Sequence, residues 1–175
     1  STFLFEDNQD FNSIDEILYF DKPIGEAMIE VMPTVFSGLG KIGDFAWMQN
    51  QPEYAKTLFV FNDNEEQFDA FLDGKAHGFT AGGGNAIARP WRKLTPPKSA
   101  GIPTGRQNTG YKTLDTPVIA KIDQALDVIN LLTGSGEYDR VVFSADSSCS
   151  KIGTGIFSVS DDVRIYIFCC LINIY

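Results

Sequence analysis

The sequence predicts an α/β fold: a single domain of three layers, in which a mixed or parallel β-sheet is flanked by helices. Residues 57–61 form a continuous β-prone run of the kind that is buried on both faces of a parallel sheet, and residues 139–144, with Val-Val-Phe at their centre, predict a second buried strand. Between them, apolar residues recur at helical spacing over residues 119–132. Strands that alternate with helices favour a parallel sheet, because each helix returns the chain to the edge where the next strand starts.

Shorter apolar runs predict two further strands near the start of the sequence. Residues 17–20 and 28–32 are such runs, and each is closed by a proline or a glycine within a few residues. The aromatic-rich stretch at residues 45–54 predicts a short helix that ends before Pro52, because a residue that precedes proline is disfavoured in a helix.

Polar residues mark where three helices are expected to begin. Asn64 is a predicted N-cap, and Thr116 is a second, with Pro117 at the first helical position. Gly134 ends that second helix. Ser160 with the two aspartates that follow it predicts the cap of a final helix.

A glycine- and proline-rich segment without periodicity, at residues 73–115, predicts one long functional loop. Trp91, Ile102 and Tyr111 would be costly to leave in water, so we expect this loop to be ordered. Residues 1–175 are expected to form one domain, because a chain of this length builds one core and is too short for two ordinary domains.

Residues 165–175 form an atypical apolar tail. The segment begins as a capped helix, but its later residues leave no polar face on that helix. This is unusual at the end of a soluble domain. Three interpretations stay open: a buried helix, a segment that binds a protein partner, or a terminus that departs from the true reading frame.

Charge and composition restrict the partners. The chain has 14 Lys and Arg against 23 Asp and Glu, a net charge of −9, which disfavours nucleic acid. Binding of a small anion is compatible with this net charge, because backbone N–H groups hold phosphate without a net positive charge. The three cysteines and one histidine lack the spacing of a zinc site, so neither a metal nor a cofactor is expected. Neither a membrane span nor a secretory signal is recognised, which predicts a cytoplasmic protein without a membrane partner.

Three loops make up the candidate ligand site. A glycine triplet at residues 82–84 lets a ligand approach the backbone and can turn successive N–H groups toward an anion. Residues 153–157 lie between a strand and a helix, where N–H groups and the helix dipole favour phosphate. The third loop, at residues 62–64, offers amides to ribose hydroxyls. The candidate binding residues are Asn62, Asn64, Gly82, Gly83, Gly84, Asn85, Gly153, Thr154, Gly155, Ile156 and Phe157.

Each loop also has a purely structural interpretation. The glycine triplet can be a flexible turn, and residues 153–157 can be a tight turn whose Ile156 and Phe157 pack into the core. Asn64 can serve only as a helix cap, whereas Asn62 has no such obvious structural duty.

Together these motifs resemble the macrodomain, a family that binds ADP-ribose; the strongest match is the Gly-Thr-Gly-Ile-Phe run at residues 153–157. The resemblance implies that this turn holds the distal phosphate and ribose. It also implies that Asn62 and Asn64 lie near the distal ribose, with the glycine triplet beside it. Asp44, directly after Gly43, would then accept a hydrogen bond from the amino group of adenine.

The predicted function is binding of a phosphate-containing nucleotide of the ADP-ribose type, and enzymatic activity stays open. An ADP-ribosyl bond can be hydrolysed by an oriented water and a nearby carboxylate or amide, and the candidate catalytic residues are Asp63 and Asp146. If the protein is an enzyme, we expect a weak, metal-free hydrolase of ADP-ribosyl or nucleotide-phosphate bonds. His77 lies in an unpatterned region and has no nucleophile beside it in the sequence.

A non-catalytic interaction or structural role is the alternative. Residues 85–111 place Arg89, Arg92 and further basic residues around Trp91, a local basic patch on an acidic protein. Such a patch can clamp phosphate or carboxylate, stack an aromatic ligand, or form the contact surface for a protein partner. The apolar tail is a second candidate surface for such a partner.

Overall fold

The computed structural model describes residues 29–153 and 158–174. The strands are β1 (Glu30–Thr34), β2 (Thr57–Asp63), β3 (Ser99–Pro103), β4 (Gly105–Arg106), β5 (Thr109–Gly110) and β6 (Arg140–Ser144). The α-helices are α1 (Phe45–Met48), α2 (Glu65–Leu72), α3 (Thr116–Thr133) and α4 (Asp161–Ile172). Turns of 3-10 helix cover Pro52–Tyr54, Ala76–Phe79 and Gly84–Lys93.

The main sheet has four parallel strands in the order β1-β6-β2-β3. The late strand β6 therefore lies between β1 and β2, and Val141 is opposite both Val31 and Leu58. Strands β4 and β5 form a separate antiparallel pair. The predicted α/β fold with a parallel sheet flanked by helices is confirmed, and the strand predicted at residues 17–20 lies outside the described residues.

Alternate residues of the sheet point into two separate cores. Leu58 and Val60 belong to the larger core, together with buried residues of α3 and α4. Phe59 and Phe61 belong to the smaller core on the other face, where they meet α1 and the 3-10 turns of Gly84–Lys93. This alternation is the period-two pattern of a strand, and it explains why residues 58–61 are apolar at every position.

Helix starts were well marked by the sequence. The Asn64 side chain accepts a hydrogen bond from the Gln67 N–H at 2.8 Å, and the Ser160 hydroxyl accepts one from Val163 at 3.3 Å. The predicted cap of α3 is wrong by one residue, because the carboxylate of Asp115 accepts from the N–H of Val118. The helix predicted at residues 45–54 is one turn of α-helix followed by one 3-10 turn.

The long loop predicted at residues 73–115 contains regular structure, so its loop assignment is wrong in part. Strand β3 is fully buried within it, and two 3-10 segments precede the strand. A Cβ on Gly101 of β3 would lie 2.6 Å from Oδ2 of Asp63 and 2.9 Å from the ring of Phe61. Only glycine permits this approach, and that requirement gives β3 a composition that does not look like a strand.

The apolar tail is largely explained by α4. Val163, Ile167 and Leu171 are buried against the larger core, whereas Ile165 and Ile172 on the same helix are exposed. Of the three interpretations of this segment, a helix packed on the sheet is the one that the described residues show. No helix within residues 29–153 or 158–174 has the length and apolar character needed to cross a membrane.

Replacement of Ile122 by alanine tests the orientation of α3. Ile122 is fully buried in the larger core, so Ile122→Ala should lower the free energy of unfolding by about 2–5 kcal/mol through lost burial and the cavity left behind. The control is Leu131→Ala on the same helix, where the side chain is 78% exposed and the expected change is within about 0.5 kcal/mol. Urea denaturation measures both, and equal losses would show that the buried face of α3 is assigned incorrectly.

Candidate functional site

The carboxyl ends of β1, β6 and β2 define the candidate site. The neighbouring strands β1 and β6 lead to helices on opposite faces of the sheet, since α1 packs in the smaller core and α4 in the larger one. Connections that diverge in this way leave a crevice at the carboxyl edge, which is where open α/β sheets bind ligands. Residues 62–64, the glycine triplet and Gly153 lie at this edge.

Asn85 connects three parts of the crevice. Its Oδ1 accepts from the N–H of Phe45 at 3.0 Å, and its Nδ2 donates to the carbonyl of Gly43 and to the hydroxyl of Ser144, both at 2.8 Å. These contacts tie the glycine loop to the start of α1 and to the end of β6. Asn85 is a predicted ligand-binding residue, and the structure shows its amide hydrogen-bonded within the protein.

Asp44 stabilises its own loop. Its Oδ2 accepts from the N–H of Gly40 at 2.8 Å, and its backbone carbonyl accepts from Trp47 and Met48 at the start of α1. The residue is mostly buried. The role in adenine recognition that the resemblance implies for Asp44 stays a prediction.

Asn62 and Gly153 lie against each other at the crevice. A Cβ built on Gly153 would lie 2.7 Å from Nδ2 of Asn62, and Gly153 has a φ of +77°, which favours glycine. The N–H of Gly153 donates to the carbonyl of Ser144, and Arg164 donates to the carbonyl of Gly153, both at 2.7 Å. The rest of this predicted loop, Thr154, Gly155, Ile156 and Phe157, lies outside the described residues.

The amide of Asn62 is incompletely satisfied. Its Oδ1 is buried and has no hydrogen-bond partner among residues 29–153 and 158–174, although the residue as a whole is half-buried. An unsatisfied buried acceptor costs about 1–3 kcal/mol. Asn64, by contrast, uses both ends of its amide within α2, since its Nδ2 also donates to the side chain of Gln67.

Asp63 lies on the other face of β2 from Asn62 and forms a buried ion cluster with two arginines. Its Oδ1 contacts Nε and Nη2 of Arg89 at 3.1 and 3.0 Å, and its Oδ2 contacts Nη1 of Arg92 at 2.8 Å. We call Asp63, Arg89 and Arg92 the Asp63 cluster. Both carboxylate oxygens are occupied, so this candidate catalytic residue has a structural duty; the catalytic role itself stays a prediction.

The Asp63 cluster also corrects the interpretation of the basic patch. Arg89 and Arg92 are buried, so the carboxylate that they clamp belongs to the protein itself. Burial lowers the pKa of the Arg92 guanidinium, and the charge and hydrogen bond of Asp63 oppose that shift. Trp91 is half-buried and packs edge-on against Phe59, with 5.8 Å between ring centroids.

Asp146, the second candidate catalytic residue, organises the loop after β6. Its Oδ1 accepts from the N–H groups of Ser150 and Lys151 at 3.0 Å, and its Oδ2 accepts from the hydroxyl of Ser148 at 2.6 Å. The Ser148 hydrogen bond, followed by those of the two backbone groups, holds the pKa of Asp146 well below its usual range. A carboxylate held ionised in this way is a poor proton donor and a weak base near neutral pH.

The glycine triplet forms an open turn at the start of the 3-10 segment. Gly82 donates to the carbonyl of Ala86, and Ala86 donates back to Gly83, both at 3.0 Å. Nothing lies within 4 Å of a Cβ built on Gly83 or Gly84. The N–H groups of Gly83, Gly84 and Asn85 donate to no residue in the described part of the chain.

Two residues of the site were missed in the sequence. Ser144 accepts from Asn85, and its place at the end of a predicted strand was a usable signal. Arg164 donates to the carbonyls of Ile152 and Gly153 from α4, and no local pattern marked it. Within residues 29–153 and 158–174, no group of three or more His, Cys, Asp or Glu side chains is placed to hold a metal ion.

Neutralising Asp63 should destabilise the fold. In Asp63→Asn two buried guanidinium groups lose the one anion that pairs with them in the described part of the chain, and breaking a buried ion pair in this way costs about 3–5 kcal/mol. The matched control is Asp146→Asn, which removes the same charge from a loop near the surface and should cost much less. Chemical denaturation of the two variants checks this, and similar unfolding midpoints would contradict the structural role of the cluster.

Comparisons of the chain with protein-family models, with curated proteins and with solved structures found no match. The resemblance to the macrodomain therefore stays a prediction that depends on the motifs in the sequence.

Proposed function

We propose that the protein binds a phosphate-containing nucleotide of the ADP-ribose type at the carboxyl edge of the main sheet. The observation that carries the proposal is that an open glycine loop and the incompletely satisfied amide of Asn62 are both connected to the carboxyl end of β6. Asn85 links the glycine loop to the end of β6, and Gly153 links that same strand end to Asn62.

The glycine loop supplies the phosphate-binding part. Three successive N–H groups, of Gly83, Gly84 and Asn85, donate to none of the described residues, and the first two positions face open space. Backbone N–H groups presented in this way bind phosphate oxygens in many nucleotide sites. Such a loop needs no cationic side chain in direct contact, which suits a protein with a net charge of −9.

Asn62 supplies the group that recognises ribose. Ribose hydroxyls both donate and accept hydrogen bonds, and a side-chain amide matches them with one acceptor and two donors. A buried acceptor without a donor, such as Oδ1 of Asn62, lowers the stability of the folded protein. Groups of this kind are found mainly at functional sites.

Binding is better supported than hydrolysis. The carboxylate of Asp63 is enclosed by two guanidinium groups, and that of Asp146 is bound by its own loop. Neither is free to orient a water in the described arrangement. A site that positions ribose without a free general base holds its ligand but does not accelerate bond cleavage.

The alternative is a protein-interaction surface within residues 85–111. Much of that segment is buried, including both arginines of the Asp63 cluster and all of β3. Ile87 and Leu94, at 42% and 54% exposed, are the large apolar side chains that it presents to solvent. The nucleotide proposal explains more of the arrangement, and we prefer it.

Thermal unfolding with ADP-ribose tests the proposal. A ligand at one hundred times its Kd adds about 2.7 kcal/mol to the free energy of unfolding, which raises Tm by several degrees. Asn62→Leu should abolish this shift while the free protein becomes as stable or more so, because the unsatisfied oxygen is removed. Asn130→Leu, an exposed position on α3, should keep the shift. A wild-type protein indifferent to ADP-ribose, NAD and simple nucleotides would contradict the proposal.

Catalysis is tested separately with proteins that carry mono-ADP-ribose on acidic residues or on arginine. We expect release of the label to stay near the rate of a buffer blank, because both candidate carboxylates are held by internal partners. Rapid release by the wild type that is lost in Asp146→Ala would show that this carboxylate is catalytic.

A further inference from the structure

The Asp63 cluster carries one positive charge in excess. It contains two guanidinium groups and one carboxylate, whose side chains are 4%, 1% and 0% exposed for Arg89, Arg92 and Asp63. The remaining acceptors are neutral backbone carbonyls of Thr80, Gly78 and Gln67. Among the described residues, neither arginine has a second salt-bridge partner.

An uncompensated buried charge is costly, because the interior does not solvate it as water does. The carbonyl oxygens that surround the two guanidinium groups reduce this cost through their partial negative charges but cannot cancel a full positive charge. Its field therefore extends to the nearest polar surface, where an anion can respond to it.

The nearest such surface includes the glycine loop. A Cβ built on Gly82 would lie only 2.7 Å from Nη1 of Arg89, so the guanidinium packs directly against the backbone of that glycine. The next three residues along the chain carry the N–H groups without described partners. The excess charge thus lies beneath an open loop with unused donors, in a protein that is otherwise strongly acidic.

We propose that the Asp63 cluster determines the specificity of this loop for anions, and that a phosphate group bound there supplies the counter-charge that the cluster lacks. The inference deepens the proposed function and rests on it for the identity of the nucleotide. Arg89 acts through the field that it places under the loop, and its own donors stay on Asp63 and Thr80. A bound anion then stabilises the folded protein through the charge of the cluster, and that charge in turn raises the affinity for the anion.

A substitution at Gly83 tests whether the excess positive charge of the Asp63 cluster acts on the glycine loop, and it leaves the three residues of the cluster unchanged. Gly83 has φ −77° and ψ 161°, a conformation open to any residue, and a Cβ there meets nothing within 4 Å. Gly83→Asp introduces a carboxylate at the loop, and Gly83→Asn is its neutral match in shape. We expect the aspartate variant to unfold about 2–4 °C above the asparagine variant at low salt, with the difference reduced at high salt.

The two Gly83 variants should also differ toward inorganic phosphate. The tethered carboxylate competes for the same position, so phosphate should raise the Tm of Gly83→Asp less than that of Gly83→Asn. Equal Tm values for the two variants together with equal responses to phosphate would overturn the inference.

Charge removal within the cluster gives a second, independent measurement. Arg89→Met should weaken ADP-ribose and phosphate about tenfold and leave neutral adenosine unchanged, because only the anions sense the lost charge. Arg140→Met is the matched control: it removes the same charge from the amino end of β6, where Arg140 pairs with Glu30, and should change neither affinity. If Arg89→Met does not fold, the Gly83 pair decides alone.

These outcomes separate the inference from the proposed function. If phosphate stabilises the wild type but not Arg89→Met, and ADP-ribose adds nothing further, the anion site is supported. The proposal that the ligand is a nucleotide is then overturned. ADP-ribose that binds Arg89→Met as tightly as it binds the wild type supports the nucleotide and overturns the role of the cluster. A protein stabilised by neither ligand overturns both.

Discussion

The pairing of Asp63 with Arg89 and Arg92 is the interaction on which the candidate site depends. Asp63 is the last residue of β2, and the two arginines belong to the 3-10 segment that begins with the glycine loop. The ion cluster therefore fastens that segment to the end of a central strand. Asn85 lies at the start of the same segment, so its contacts with Gly43, Phe45 and Ser144 are made close to this attachment.

Polar residues at the crevice are mostly used to hold loops rather than left free. Both ends of the Asn85 amide form hydrogen bonds with Gly43, Phe45 and Ser144. The carboxylate of Asp146 accepts hydrogen bonds from its own turn. What this internal bonding leaves available is the amide of Asn62 and the backbone N–H groups of the open glycine turn. A site built in this way keeps its shape before a ligand arrives, which reduces the ordering cost of binding.

The regular core could be predicted from local sequence, because strands and helices that pack on a core carry their period in the chain itself. The 57–61 and 139–144 runs, the caps at Asn64 and Ser160 and the long helix α3 are of this kind. Strand β3 was missed because it is short and its neighbours require glycine at position 101, so Ser-Ala-Gly-Ile-Pro has no apolar period to detect.

The site was less predictable, because its contacts join residues far apart in the sequence. Arg89 and Arg92 look like surface cations until the fold brings Asp63, twenty-six and twenty-nine positions earlier, against them. The difference between Asn62 and Asn64 is of the same nature. One amide is taken up by a helix that starts beside it, and the other meets Gly153, which follows the neighbouring strand β6 and is remote in the sequence.

The position of β6 has a consequence for how the chain folds. This strand forms the join between β1 and β2, yet about seventy-five residues separate its start from the end of β2. Until residues 140–144 leave the ribosome, β1 has no neighbour among the described strands and β2 has one open edge. Pairings of such wide sequence separation form slowly and expose apolar strand edges meanwhile. Nascent chains that stop short of β6 should therefore be the species most in need of a chaperone.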